Sequence, residues 1–63
     1  MSSKVLRLAE VCDRTGLSKS LIYKKMQEFD FPQSIALGAR AVGWLEEEIE
    51  QWIHSRVSKS RQV

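Results

Sequence analysis

The segment Thr15-Gly16-Leu17-Ser18 places a helix stop and a helix start within three residues. Glycine reaches the left-handed backbone conformation that commonly follows the last turn of a helix without the steric penalty other residues carry. Serine caps a new helix by accepting a hydrogen bond from an amide two or three residues on, here that of Ser20 or Leu21. A chain with both signals so close turns a tight corner between two helices, and Leu17 folds back onto Val11 and Cys12.

The flanking periodicity fits that corner. Val5 to Leu8 reads as a short strand, and from Ala9 a helical pattern sets Ala9, Val11 and Cys12 on an inner side and Glu10, Asp13 and Arg14 on an outer one. The second helix is expected over Lys19 to about Phe29, because Pro32 disfavours helix at Phe31. Steps of about 100° put Ser18, Ile22, Met26 and Phe29 on a core face, with the stem of Lys25 at its edge. The opposite face carries Ser20, Tyr23, Lys24 and Gln27, with Lys19 projecting near the start. Beyond Pro32 the pattern changes to two short strands around a turn at Gly38, Ala39 and Arg40, with Ile35, Leu37, Val42 and Trp44 expected inward. A last helix spans about Glu46 to Val57, with Leu45, Ile49, Trp52, Ile53 and Arg56 on one face. Glu46, Glu47 and Glu48 sit in its first turn, where carboxylates meet the positive end of the helix dipole. Trp44 is placed to staple against Ile49.

These elements describe a mainly α fold with a small β-hairpin: a winged helix-turn-helix of three helices plus a wing over residues 5–57. The N-terminal residues 1–4 and the basic tail 58–63 read as flexible ends. At 63 residues the chain buries only about 60% of its unfolded surface, which argues against a large enclosed active site. A single cysteine and a single histidine supply neither a disulfide nor a metal ligand set, so no metal and no cofactor are expected. Cys12 reads as a small buried hydrophobe and His54 as a solvated or partly packed side chain. The glutamate triplet is a helix start and no catalytic constellation is present, which points away from an enzyme. No apolar run approaches the roughly 20 residues of a membrane span. A cytoplasmic protein with no membrane partner and no small-molecule substrate is expected.

Charge is divided along the chain more sharply than the formal net of +2 suggests. Residues 1–27 carry six cations against two acids, residues 28–55 carry Arg40 against six acids, and the tail adds Arg56, Lys59 and Arg61. A positive first half suits a polyanionic partner, with the acidic part held away from it. A polar, basic helix after a tight turn suits the DNA major groove. On this reading Ser18 starts the helix, and Ser20, Lys24 and Gln27 face bases or nearby phosphates. Tyr23 places its hydroxyl on the backbone, Lys19 adds charge, and Arg40 at the hairpin tip reaches a phosphate or the adjacent minor groove. One helix and one wing make few contacts, so a homodimer or a cooperative assembly on double-stranded DNA is expected, with helix three around Trp52 and Ile53 as the dimer surface and core packing of those two residues as the competing assignment. The alternative is a protein-interaction adaptor that uses the same small fold without binding DNA.

"LRLAEVCDRTGLSKSLIYKKM" and "FPQSIALGARAVGWLEEEIEQWI", in that order, resemble the AlpA family of small phage-type transcriptional regulators, which is related in architecture to MerR-type winged-helix domains and phage excisionases. The similarity covers about Val5 to Arg56. It implies DNA binding through Ser18 to Lys25 and the wing at Arg40, with transcription or excision of a prophage or other mobile element as the outcome.

Overall fold

The computed structural model describes residues 4–61. Strand β1 (Val5–Leu6) is followed by helices α1 (Leu8–Thr15) and α2 (Lys19–Gln27), strands β2 (Ile35–Ala36) and β3 (Val42–Leu45), and helix α3 (Glu46–Arg61). The strands form one antiparallel sheet in the order β1-β3-β2, with Leu6 opposite Trp44 and Ile35 opposite Gly43. The expected hairpin therefore gains a third strand from the N-terminus. Leu37 N–H donates to Ala41 O (2.7 Å) across the turn that joins β2 to β3.

Central strand β3 is the seat of the core. Trp44, Leu6, Ile22, Ile49 and Val11 are fully buried, Phe31 is nearly so, and Leu8, Cys12, Leu17, Met26, Val42, Trp52 and Ile53 pack around them. Trp44 and Ile49 share this cluster, in the positions the expected staple requires. The close approach of β1 to β3 depends on Gly43. A Cβ there would lie 2.5 Å from Val5 Cγ1 and 3.0 Å from Leu6 O.

The helix corner is built as its sequence predicts. Gly16 takes φ 73° and its N–H bonds to Cys12 O at 2.8 Å, while Leu17 packs on the core. Ser18 is extended, and its Oγ accepts from Leu21 N–H at 3.2 Å.

Four expectations are corrected. The first strand stops at Leu6 and α1 begins at Leu8, so Leu8 faces inward while Ala9 is exposed. Helix α2 ends at Gln27, and Phe29 is 87% exposed instead of facing the core with Ile22 and Met26. The cause is a tight C-terminal turn: Phe29 N–H bonds to Met26 O (3.1 Å) and Asp30 N–H to Lys25 O (2.8 Å), with Phe29 left-handed at φ 57°. That conformation costs a bulky residue on the order of 1–2 kcal/mol relative to the usual right-handed one. Ile35 and Leu37 are 37% and 45% exposed, because β2 is a two-residue edge strand and the core helices α1 and α3 pack on β3. Helix α3 continues past Val57 to Arg61, with Lys59 and Arg61 in its last turn, where cations complement the negative end of the dipole. Residues 1–3 and 62–63 of the expected flexible ends lie outside the described residues.

The connector after α2 is tied to α3 through Asp30. Its carbonyl accepts from Trp52 Nε1 at 2.8 Å and from Arg56 at 3.3 Å, and its carboxylate pairs with Arg56 and with Lys25 Nζ at 3.4 Å. Phe31 packs edge-on against Trp52 at 4.9 Å between ring centroids, and the Arg56 guanidinium lies 4.8 Å above the Trp52 ring. Trp44 Nε1 donates to Pro32 O at 3.0 Å.

These contacts set two expectations for stability. Gly43→Ala is expected to destabilise the fold by about 1–3 kcal/mol, because the added methyl must push β1 away from β3; chemical denaturation measures it. The hydrogen bond from Arg56, aided by the charges of Arg56 and Lys25, holds the Asp30 carboxyl below its usual 3.8. A depressed acid contributes stability that is present above the unfolded value and lost as pH falls through the folded one. Melting scans should therefore show Asp30→Asn a few degrees less stable than the native chain at neutral pH, with the gap closing below about pH 4.

Candidate nucleic-acid interface

Helix α2 emerges from a corner fixed at both ends. Its first turn is capped by Ser18, and Ile22 N–H bonds back to Ser18 O at 3.0 Å. The amides of Lys19 and Ser20 precede the first bonds of the helix and, on exposed residues, remain open to an anion. Its last turn is held by Glu28 N–H on Lys24 O (3.1 Å) and by Gln33 Nε2 on Met26 O (3.0 Å). Ile22 is fully buried and Met26 packs on the core, which turns the opposite side of the helix to solvent.

Lys19, Ser20, Tyr23, Lys24 and Gln27 are exposed, as the periodicity requires; Ser18, which the periodicity sets on the core face, is exposed as well, because as the cap it stands before the first helical turn. They share one helix and its cap. Arg40 stands apart from them, exposed on the turn between β2 and β3.

The cations fall into two groups that the sequence does not separate. Arg14 pairs with Glu46 at 2.8 Å and Glu10 at 3.4 Å, and Lys25 and Arg56 both pair with Asp30. These charges belong to the fold. Among the described residues, Lys4, Arg7, Lys19, Lys24, Arg40, Lys59 and Arg61 enter no salt bridge and are exposed, and of these Lys19 and Lys24 lie on α2 and Arg40 on the turn between β2 and β3. Their positive charge is available to a partner.

Leu21 is a member of this surface that the periodicity left out. It is 38% exposed, one residue from Ser20 and about 100° around the helix, at the rim of the outward face. The sequence signal was present but weak, since an isolated leucine beside a polar face reads as core. Among the described residues no group of three or more His, Cys, Asp or Glu gathers as a metal site, and no helix is long and apolar enough to cross a membrane.

Residues 4–57 match the family described as Prophage CP4-57 regulatory protein (AlpA). The chain is 37% identical over 59 residues to the DNA-binding transcriptional activator AlpA of Escherichia coli (strain K12), an alignment covering 84% of each chain. It is 36% identical over 55 residues to Uncharacterized protein ORF88 of Enterobacteria phage P4, covering 87% of this chain and 62% of the phage protein. The chain thus spans less than two thirds of that phage relative's length.

The capping bond at the start of α2 has a measurable effect. Ser18→Ala leaves the Leu21 amide without its side-chain partner and should lower stability by about 1 kcal/mol, whereas Ser18→Asp or Ser18→Asn should retain most of it; denaturation midpoints distinguish the three.

Proposed function

The chain belongs to the AlpA family of prophage regulatory proteins, and from that premise we propose that it is a sequence-specific DNA-binding transcriptional regulator of phage or mobile-element type. The observation that carries this reading is the partition of positive charge: Arg14, Lys25 and Arg56 are held by carboxylates, while Lys19 and Lys24 stand unpaired on the outward face of a helix that follows a tight corner. Helix α2 enters the major groove. Ser20, Lys24 and Gln27 meet base edges or the phosphates beside them, and the Leu21 side chain supplies an apolar contact suited to a thymine methyl. Tyr23 donates its hydroxyl to the backbone, and Lys19 and the open amides beyond Ser18 hold a phosphate.

The turn at Gly38, Ala39 and Arg40 acts as the wing. Arg40 touches the backbone or the adjacent minor groove, where narrow A·T-rich stretches attract arginine. The protein works by occupying DNA and by what it brings there, not by catalysis.

Titration of duplex DNA carrying the upstream region of its own gene, at a series of salt concentrations, tests the assignment. Affinity should fall steeply with salt, with a log–log slope near the number of phosphates neutralised. Lys24→Ala and Arg40→Ala should each weaken binding and, where the lost contact is to phosphate, make the slope shallower by about 1, with thermal melts nearly unchanged. Unaltered binding in both variants would discredit the face. Negligible DNA binding at physiological salt would favour an adaptor.

A further inference from the structure

Beside the core face of α3 runs a second stripe. Glu48, Gln51, Trp52, Ser55, Arg56 and Lys59 recur at three- and four-residue steps and, with Phe29 to Pro32 of the connector, line an open cleft of about 430 Å³. Neither α2's outward face nor the wing takes part in it.

Two features of the cleft call for an occupant. Phe29 is the most exposed of the large apolar side chains, at 87%, and it projects from a left-handed backbone position where glycine would be the easier choice. Among the described residues nothing covers its ring. The stripe is also charge-antisymmetric: Glu48 stands near one end and Lys59 near the other, about 16 Å apart along the helix. Both are exposed, and neither enters an ion pair among the described residues.

We propose that the occupant is a second copy of this chain, docked α3 against α3 in antiparallel orientation about a two-fold axis. In the register that sets Glu48 opposite Lys59 of the other copy, Gln51 faces Arg56 and Trp52 faces Ser55, so every position of the stripe meets a compatible one. The two-fold makes each Glu48–Lys59 contact twice. It also brings both Phe29 rings to the edges of the shared cleft, where each covers apolar surface of the other copy. A self-complementary patch of this kind is what an isologous interface requires. Its modest size places it among weak interfaces, below about 1,200 Å². The rim pairs lie in solvent, so association weakens as salt is added.

The proposal is independent of DNA binding and is tested without DNA, by sedimentation over a range of protein concentrations. The native chain should pass from monomer to dimer as concentration rises. Glu48→Lys and Lys59→Glu each replace two attractive contacts with two repulsive ones and should weaken dimerisation by roughly tenfold or more. An equimolar mixture of those two variants should recover it, because in the mixed pair each of the two contacts again joins one lysine to one glutamate. Phe29→Gly should also remain monomeric while melting no lower than the native chain, since it removes an exposed ring and relieves a left-handed residue. A native chain that stays monomeric throughout overturns the proposal and leaves the cleft to a different protein or to none. So does a dimer that persists in both charge variants and in Phe29→Gly, or a mixture that fails to recover association.

Discussion

Asp30 joins the two halves of this protein. A chain this short has a thin core, and the face of α2 is useful to a partner only if its C-terminal end is held against the rest. One residue supplies that hold with both its backbone and its side chain. Its N–H closes the last turn of α2 on Lys25 O, its carbonyl accepts from Trp52 and Arg56, and its carboxylate gathers Lys25 and Arg56. The ion pairs are partly exposed and screened, so taken singly they contribute little. The geometry matters more than any one bond. The Trp52 indole nitrogen, on a half-buried ring, gains its acceptor only where the connector passes, and that ties α3 to the segment that ends α2.

Holding α2 in this way determines which cations are left for a partner. Lys25 sits beside Lys24 in sequence, and a sequence alone treats them as one basic pair. On the helix they diverge by about 100°, so Lys25 falls within reach of Asp30 while Lys24 points away. Arg14 is likewise drawn to Glu46 at the start of α3, a contact across 32 positions that helps orient α1 against the acidic turn. The acidic middle of the chain therefore has a structural part to play: Glu46 and Asp30 neutralise Arg14, Lys25 and Arg56, while Lys19, Lys24 and Arg40 are among the exposed cations left unopposed.

Much of this was legible from local rules. Gly16 and Ser18 announce the corner because capping depends on a few consecutive backbone groups, and the turn at Gly38 to Arg40 is likewise local. The outward placement of Ser20, Lys24 and Gln27 followed from helical period together with the buried Ile22 opposite. What local rules missed was decided by distant partners. Val5 and Leu6 read locally as a strand, but that they join the hairpin as its third strand depends on Trp44 and Leu45 being there to pair with them, and Ile35 and Leu37 stay partly solvated because the helices cover β3 instead. Phe29 fits the apolar face of an ideal helix. It leaves that face because the chain must reverse toward Asp30 and Phe31, and the left-handed residue that makes the reversal is Phe29 itself.

That reversal links the two surfaces assigned to this chain. The backbone groups that terminate α2 belong to Phe29 and Asp30, and the side chains of those same residues border the α3 cleft. A second copy seated in the cleft bears on the connector that holds the end of α2, and it does so on residues that contribute nothing to the outward basic face. In the two-fold pair proposed above, the two α2 helices would run in opposite senses, which is the symmetry of inverted half-sites on a duplex.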